Sequence, residues 1–455
     1  MASDRLIVIG GVAAGLSAAS RARRLNTNLE IRVYEKGPDI SYSACGLPYF
    51  IAGSPREADA LRVYSAEFFR TQRNIQVFTN HEAVQILPGR RRVTVVAQGS
   101  GPEDVHFTSL VLATGAEPAR PAINGLDLTG VFHVNDLQAA IKLKHFLESE
   151  KPRRAAIIGG GYIGLEMAEA MTAAGLEVTL VDRSAALFEA VDEEIASLVE
   201  AELDGRGVRV CKGARAAGIF GDRTGRVRQM ALEGAGEASL ETDCVILATG
   251  VRPRAKLAEE AGIEIGVTGA IAVDEFMETS AASIYAAGDC AEARHLVSGR
   301  PAYVPLGTTA NKQGRVAGEN AAGGRARFAG IVGTAVTKVF NLEVARTGLS
   351  SEEARQAGFK IAAASVRAAS RARYLGGKDI LVRLIAERST GRLLGGQMAG
   401  PEGVAKRIDV LATALHARLT VEQLGQLDLS YAPPFSAAWD PILIAAQEMQ
   451  RELRR

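Results

Sequence analysis

Short runs of apolar residues, each closing on a glycine turn, recur along the first two thirds of the chain. Leu6-Ile7-Val8-Ile9 carries no polar interruption, as expected of a strand buried on both faces of a parallel sheet. Gly10-Gly11-Val12-Ala13-Ala14-Gly15 follows, and small residues predict a helix from there to Leu25. A second strand, Glu30 to Tyr34, ends at Glu35. The pattern returns as Arg154 to Ile158, Gly159-Gly160-Gly161-Tyr162-Ile163-Gly164, a helix bearing Glu166, and a strand Glu177 to Val181 ending at Asp182. Val111-Leu112-Ala113-Thr114-Gly115 and Val245-Ile246-Leu247-Ala248-Thr249-Gly250 are one phrase used twice, each followed within three residues by proline. Each reads as a strand running into a crossover at the edge of a module. Lys151 to Arg154 reads as the linker into the second module, and Thr279 to Asp289 as a strand ending in Gly-Asp. From about residue 331 the glycine turns stop and strands alternate with one or two helices. The expected fold class is α/β: two Rossmann-like dinucleotide-binding modules, then an α+β domain.

Strand, glycine turn and helix together present backbone amides to a pyrophosphate. In the first module the middle glycine of G-x-G-x-x-G is replaced by Val12, but Glu35 lies 20 residues after Gly15, where an acid accepts hydrogen bonds from an adenosine ribose. The second module carries the full fingerprint at Gly159, Gly161 and Gly164, with Asp182 18 residues beyond. An acid there repels a 2′-phosphate and favours NADH, although Arg183 next door can accept NADPH. Two such modules imply two dinucleotides, most economically a bound flavin and a diffusing nicotinamide. The plain alternative is a duplication with one dead site. Asp289, at the end of its strand, suits a hydroxyl-rich chain or the cap of the following helix.

Composition narrows the field further. With 455 residues, a net charge of +1 and 23% charged residues, the chain offers no electrostatic argument for nucleic acid or an anionic membrane surface. No apolar run approaches the ~20 residues that cross a bilayer. A strand begins by Leu6, leaving no room for a signal peptide, and four cysteines are too few for a disulfide framework. A cytoplasmic protein is expected. The six histidines are scattered and no pair has zinc-ligand spacing, so no metal site is expected.

One cysteine stands apart. Ser41-Tyr42-Ser43-Ala44-Cys45-Gly46-Leu47-Pro48-Tyr49-Phe50 places a lone thiol where a helix can begin, and a helix N-terminus favours the thiolate. Facing an apolar core, Cys45 would be an inert small hydrophobe. Cys211, Cys244 and Cys290 end, occupy or follow apolar strands and read as structural.

Taken in order, these motifs resemble the FAD-dependent pyridine nucleotide-disulfide oxidoreductases over nearly the whole chain. The resemblance implies an FAD-binding domain (1–118 and 250–330) interrupted by an NAD(P)H-binding domain (119–249), then an interface domain (331–455) that pairs two subunits. It implies that Gly10, Gly11, Ala14, Gly15, Glu35, Lys36, Ser43, Ala113, Thr114, Gly115 and Asp289 contact FAD. Gly159, Gly161, Tyr162, Gly164, Glu166, Asp182, Arg183 and Gly250 would line the NAD(P)H site, with Tyr162 covering the flavin until nicotinamide displaces it.

The branch is decided by sulfur. Glutathione-reductase-like members carry C-x4-C, whereas the position five after Cys45 is Phe50, and their C-terminal His-Glu pair is replaced by Leu429-Ser430-Tyr431-Ala432-Pro433-Pro434-Phe435-Ser436. The chain is similar instead to the single-cysteine branch. Oxidases and peroxidases of that branch place a histidine in the first glycine turn, and here that position is Ala13, which removes their proton donor. Coenzyme A-disulfide reductases supply a tyrosine from the partner subunit within Tyr-Ala-Pro-Pro, which Tyr431 matches, and Tyr374 matches a second one. Asn311-Lys312-Gln313-Gly314-Arg315 resembles the helix that follows the FAD domain in that branch. The chain departs from those reductases at Ala44, where asparagine is usual, and at Trp439.

The implied reaction carries electrons from NADH or NADPH through FAD to Cys45, which reduces a small disulfide or persulfide such as that of coenzyme A. Tyr431 of the partner subunit would assist the departing sulfur. Ser41 and the cations Arg21, Arg23, Arg24 and Arg62 are candidates for holding the substrate and its phosphates, against the alternative of a solvated helix face. Two competing functions remain at this stage: an NADH oxidase using oxygen, and a slow flavoprotein that mainly docks a partner.

Overall fold

The computed structural model describes residues 4–455 apart from 235 and 237. Two five-stranded parallel sheets are built on one plan. In the first, strand Arg5–Ile9 lies between Glu30–Tyr34 and Ser109–Leu112, with Gln76–Phe78 and Ile284–Ala286 at the edges. In the second, Arg154–Ile158 lies between Glu177–Val181 and Cys244–Leu247, with Arg209–Cys211 and Val131–His133 at the edges. The central strands are sealed on both faces, and Leu6, Ile7, Val8, Ala156 and Ile157 are wholly buried. That is why they read as unbroken apolar runs.

The first sheet is completed only when the chain returns from the second. The crossing is a short antiparallel pair, Ala116–Pro118 with Val251–Pro253, so the exits of the two Ala-Thr-Gly phrases lie against each other. Thr114 Oγ1 donates to the Arg254 carbonyl at 2.7 Å, and Ala119 N to the Gly250 carbonyl at 2.9 Å. Each module also carries a three-stranded antiparallel sheet that the sequence pattern did not reveal.

Three expectations change. Lys151 to Arg154 is the connection from helix to strand inside the second module, since the earlier strand Val131–His133 and helix Leu137–Glu150 already belong to it. The strand expected over Thr279 to Asp289 is only Ile284–Ala286, because Ser283 at φ +64° breaks the extended run. Beyond residue 331 a five-stranded antiparallel sheet, Ala335–Val339 through Leu393–Gly400, is accompanied by four helices rather than one or two: Ser351–Gln356, Val404–His416, Val421–Leu424 and Pro441–Leu453. Its strand Leu393–Gly400 is buried throughout, with Pro441–Leu453 contributing Ile442, Ala445, Ala446 and Met449 to the same core. No helix among the described residues is long and apolar enough to cross a membrane.

Candidate active site

The two glycine turns repeat each other at their first and last glycines. Gly10 and Gly159 adopt φ +112° and +109°, and a Cβ on either would lie 2.1 or 2.3 Å from the carbonyl oxygen of Ala113 or Ala248. The Ala-Thr-Gly phrases therefore back the turns directly, which ties two motifs about a hundred residues apart. A Cβ on Gly15 or Gly164 would lie within 2 Å of the Gly10 or Gly159 carbonyl oxygen, so helix and strand close on each other only with glycine there. Gly161 is different: a Cβ there would meet nothing within 4 Å. Packing does not demand that glycine, whereas the expected close approach of a pyrophosphate would.

The acids repeat as well. Glu35 accepts from Gly11 N at 2.7 Å and Gly37 N at 2.8 Å. Asp182 accepts from Gly160 N at 2.5 Å and Ser184 N at 2.8 Å. Each carboxylate thus stands at the mouth of its turn, where an adenosine ribose would lie, while Lys36 beside Glu35 is exposed. Across the first turn, Asp289 is half-buried, has no hydrogen-bond partner among the described residues, and is pushed up in pKa by burial. Gln313, fully buried, holds its loop: Gly288 N donates to Gln313 Oε1 and Gln313 Nε2 to the Glu292 carbonyl, both at 2.9 Å. The tight glycine cradle, the acid and the unpaired Asp289 carboxylate fit a bound FAD in the first module.

The Cys45 loop hangs from that first turn. Ser41 N donates to the Gly11 carbonyl at 3.0 Å, Ser43 N to Leu61 O at 2.9 Å, and Val63 N to Ser41 O at 2.7 Å. Ser41 sits at φ +46°, and Ser43 is exposed. Cys45 lies in a 3-10 turn, Ala44–Gly46, that leads into the one-turn helix Leu47–Ile51. Leu47, Phe50 and Ile51 bury themselves against Leu137, Leu143 and Leu165 of the second module. Lys144 ties down the far end, donating to Phe50 O at 3.2 Å and Arg56 O at 2.6 Å, with its ammonium 4.1 Å from the Phe50 ring centroid.

Cys45 is exposed, so it is not the inert core residue of the second reading. The expected thiolate-favouring field is not realised either. Protein atoms wall the sulfur on enough sides that desolvation pushes its pKa up, and Glu166 and Asp289 push it further. A one-turn helix is too short to offset two carboxylates. The two carboxylates acting on the sulfur come from different modules, Asp289 from the first and Glu166 from the second. Glu166 is itself raised by burial, while Thr337 of the interface domain donates to it at 3.2 Å. Glu169 accepts from Phe340 N at 2.8 Å and pairs with Lys338, so three domains meet in a cleft behind Tyr49.

Tyr162 opens the helix Tyr162–Ala173, half-buried, and burial pushes its hydroxyl up to about 12. Arg183 follows Asp182 and is exposed, and Gly250 takes φ +92° at the crossing. Tyr374 and Tyr431 belong to the interface domain, where they are 79% and 57% exposed; Phe435 and Trp439, close to Tyr431 in sequence, are exposed as well, and Ala372 N to Pro433 O at 3.2 Å joins the two segments. An exposed aromatic face of this kind marks an interaction surface.

The expected phosphate ligands are largely committed elsewhere. Arg21 pairs with Glu319, Arg62 with Asp39 and Asp59, and Arg23 donates to four backbone carbonyls including Leu29 and Asn74. Of that set only Arg24 is exposed without a partner among the described residues. Two cations overlooked in that role, Lys312 and Arg315, are exposed and unpaired among the described residues on helix Gly307–Ala321. That helix lies against Ala13–Leu25, with Ser17 Oγ donating to Asn311 Oδ1 at 2.7 Å. Gly314 and Gly318 in the same segment announced a close helix crossing that would have brought the two cations into view.

A family model described as pyridine nucleotide-disulphide oxidoreductase matches residues 4–314, and the dimerisation domain of the same family matches residues 334–441. The chain is 39% identical over 448 residues to an NAD(P)H coenzyme A polysulfide/persulfide reductase of Pyrococcus horikoshii, covering 98% of each chain. It is 35% identical over 451 residues to an NADH oxidase of Methanocaldococcus jannaschii, covering 99% of each. Among solved structures it resembles a NAD-dependent persulfide reductase from A. fulgidus with TM-score 0.94 and 41% identity, over 97% of this chain and 82% of that one. The protein belongs to the pyridine nucleotide-disulphide oxidoreductases, with FAD and NAD(P)H as its cofactors.

Proposed function

We propose that this enzyme uses Cys45 as its single redox sulfur to reduce a low-molecular-weight disulfide or persulfide, that of coenzyme A first, with electrons from NADH. One observation carries the reading: an exposed thiol stands beside the two nucleotide sites with no second thiol to pair with. Phe50 occupies the position of a resolving cysteine, Cys244 and Cys290 are wholly buried, and Cys211 is half-buried on the edge strand Arg209–Cys211 of the second sheet. The bound flavin supplies two-electron relay between nicotinamide and sulfur.

The chain's own residues would act as follows. Asp182 receives the adenosine ribose of NADH, and its negative charge disfavours a 2′-phosphate. Lys312 and Arg315 on helix Gly307–Ala321 are exposed cations suited to the phosphates of coenzyme A, with Arg24 exposed at the far end of Ala13–Leu25. Cys45 as thiolate attacks one sulfur of the substrate, forming a mixed disulfide as the original S–S bond breaks. The departing thiolate takes a proton from Tyr431 of the partner subunit, with Tyr374 nearby. Two electrons and a further proton then return Cys45 to its thiolate and free the second thiol. The exposed aromatic face of the interface domain and its dimerisation-family match support a homodimer. Four unpaired cysteines support a reducing, cytoplasmic setting.

Ala13, in place of an imidazole, argues against oxygen as the main acceptor. In the test, Cys45→Ser keeps its flavin and loses NADH-dependent thiol release from coenzyme A disulfide. Undiminished release would remove Cys45 from the mechanism. Oxygen consumption with NADH alone, as fast as disulfide reduction, would instead favour the oxidase.

A further inference from the structure

The ring of Tyr162 rests edge-on against Phe188, with centroids 4.8 Å apart and planes at 86°. Phe188 is 2% exposed, and its backbone sits at φ +57°, a region that bulky residues rarely enter. Such a conformation persists only where the surroundings impose it. Here the loop from Asp182 to helix Glu193–Gly205 is held from both sides. Leu187 packs so closely on Gly160 that a Cβ there would lie 2.2 Å from it. Val191 N donates to Phe188 O at 3.1 Å.

The other grip comes from the interface domain. Arg346 donates to the Ala190 carbonyl, and Asp192 N donates to Gln397 Oε1 at 2.7 Å. The Asp192 carboxylate is bound by Ser351 and Arg383. Arg346 also pairs with Glu353, and the Tyr162 hydroxyl feels both charges. The interface sheet therefore reaches the ring at the nicotinamide site through one short loop.

We infer that Phe188 is a positioning residue for Tyr162, setting how readily that ring yields to an arriving nicotinamide, and that the interface domain holds Phe188 in place for this task. The inference rests on Tyr162 being the cover of the nicotinamide site. An edge-to-face pair biases ring position by up to about tenfold. A ligand that must displace the ring loses that factor in affinity, and a ligand that leaves the ring alone does not.

The test uses the flavin-loaded enzyme and two probes, NAD+ and ADP-ribose, which lacks the nicotinamide. Phe188→Leu keeps apolar volume without the aromatic edge, and Phe188→Met replaces it if leucine fails to accumulate. Calorimetry should show NAD+ binding about three- to tenfold tighter in the variant and ADP-ribose unchanged. The substitution should be silent in a Tyr162→Ala background. If both ligands shift together, or the effect survives without Tyr162, Phe188 shapes the adenosine loop and the inference falls. If Phe188→Leu changes nothing while Tyr162→Ala tightens NAD+, the inference falls but the cover stands. If Tyr162→Ala also leaves NAD+ affinity unchanged, the cover itself is refuted and the inference goes with it.

Discussion

Replacing Gln313 with leucine probes how the fold presents Asp289. The side chain is fully buried and makes two hydrogen bonds, accepting from Gly288 N and donating to Glu292 O, both at 2.9 Å. Leucine matches its volume closely and makes neither. The buried Gly288 amide and Glu292 carbonyl then lose their partner, at about 1–3 kcal/mol each. Leucine recovers part of this through better apolar transfer, so the net cost is about 2–5 kcal/mol. At about 2–4 °C per kcal/mol for a module of this size, flavin should be released roughly 4–20 °C earlier on heating. The assay is flavin fluorescence during a thermal ramp, compared with Asn311→Ala on the exposed face of the same helix. A shift under about 2 °C for Gln313→Leu, or an equal shift for both variants, would refute the positioning role.

Three further outcomes follow from the site. Asp182→Ser removes the negative charge at the second turn while keeping a hydroxyl acceptor for Gly160 N, so the ratio of kcat/KM for NADPH over NADH should rise about tenfold or more; an unchanged ratio would relocate the discrimination. Glu166 helps hold the Cys45 thiol above its usual range, so Glu166→Gln should lower the pH at which iodoacetamide alkylates Cys45 in flavin-stripped protein. The sign is fixed by charge: losing a carboxylate stabilises the thiolate, and an upward shift would contradict the geometry. Arg315→Ala should raise KM for coenzyme A disulfide about three- to tenfold with kcat kept, while Arg21→Ala, already paired with Glu319, should do so less.

What was legible in the sequence was local. Glycine turns, the strands before them and the acids at fixed spacing are set by backbone geometry within about thirty residues, and both modules formed as read. Partnerships across the chain were not legible. Arg21 finds Glu319 and Glu166 finds Cys45 only because two modules and a third domain fold onto one another. The same holds for the connection at Lys151–Arg154, whose role depends on a strand edge supplied earlier by Val131–His133. The interface domain hid its helix count because Ser351–Gln356 and Val421–Leu424 are short and rely on capping boxes rather than a long apolar stripe.

The central claim concerns one sulfur. NADH-reduced enzyme is mixed with a single equivalent of coenzyme A disulfide, quenched in acid within the first turnover, and its intact and peptide masses recorded. The account predicts a coenzyme A adduct confined to the peptide bearing Cys45, formed with release of one equivalent of free thiol. An adduct on Cys211, or thiol release with no protein adduct at any time, would contradict it.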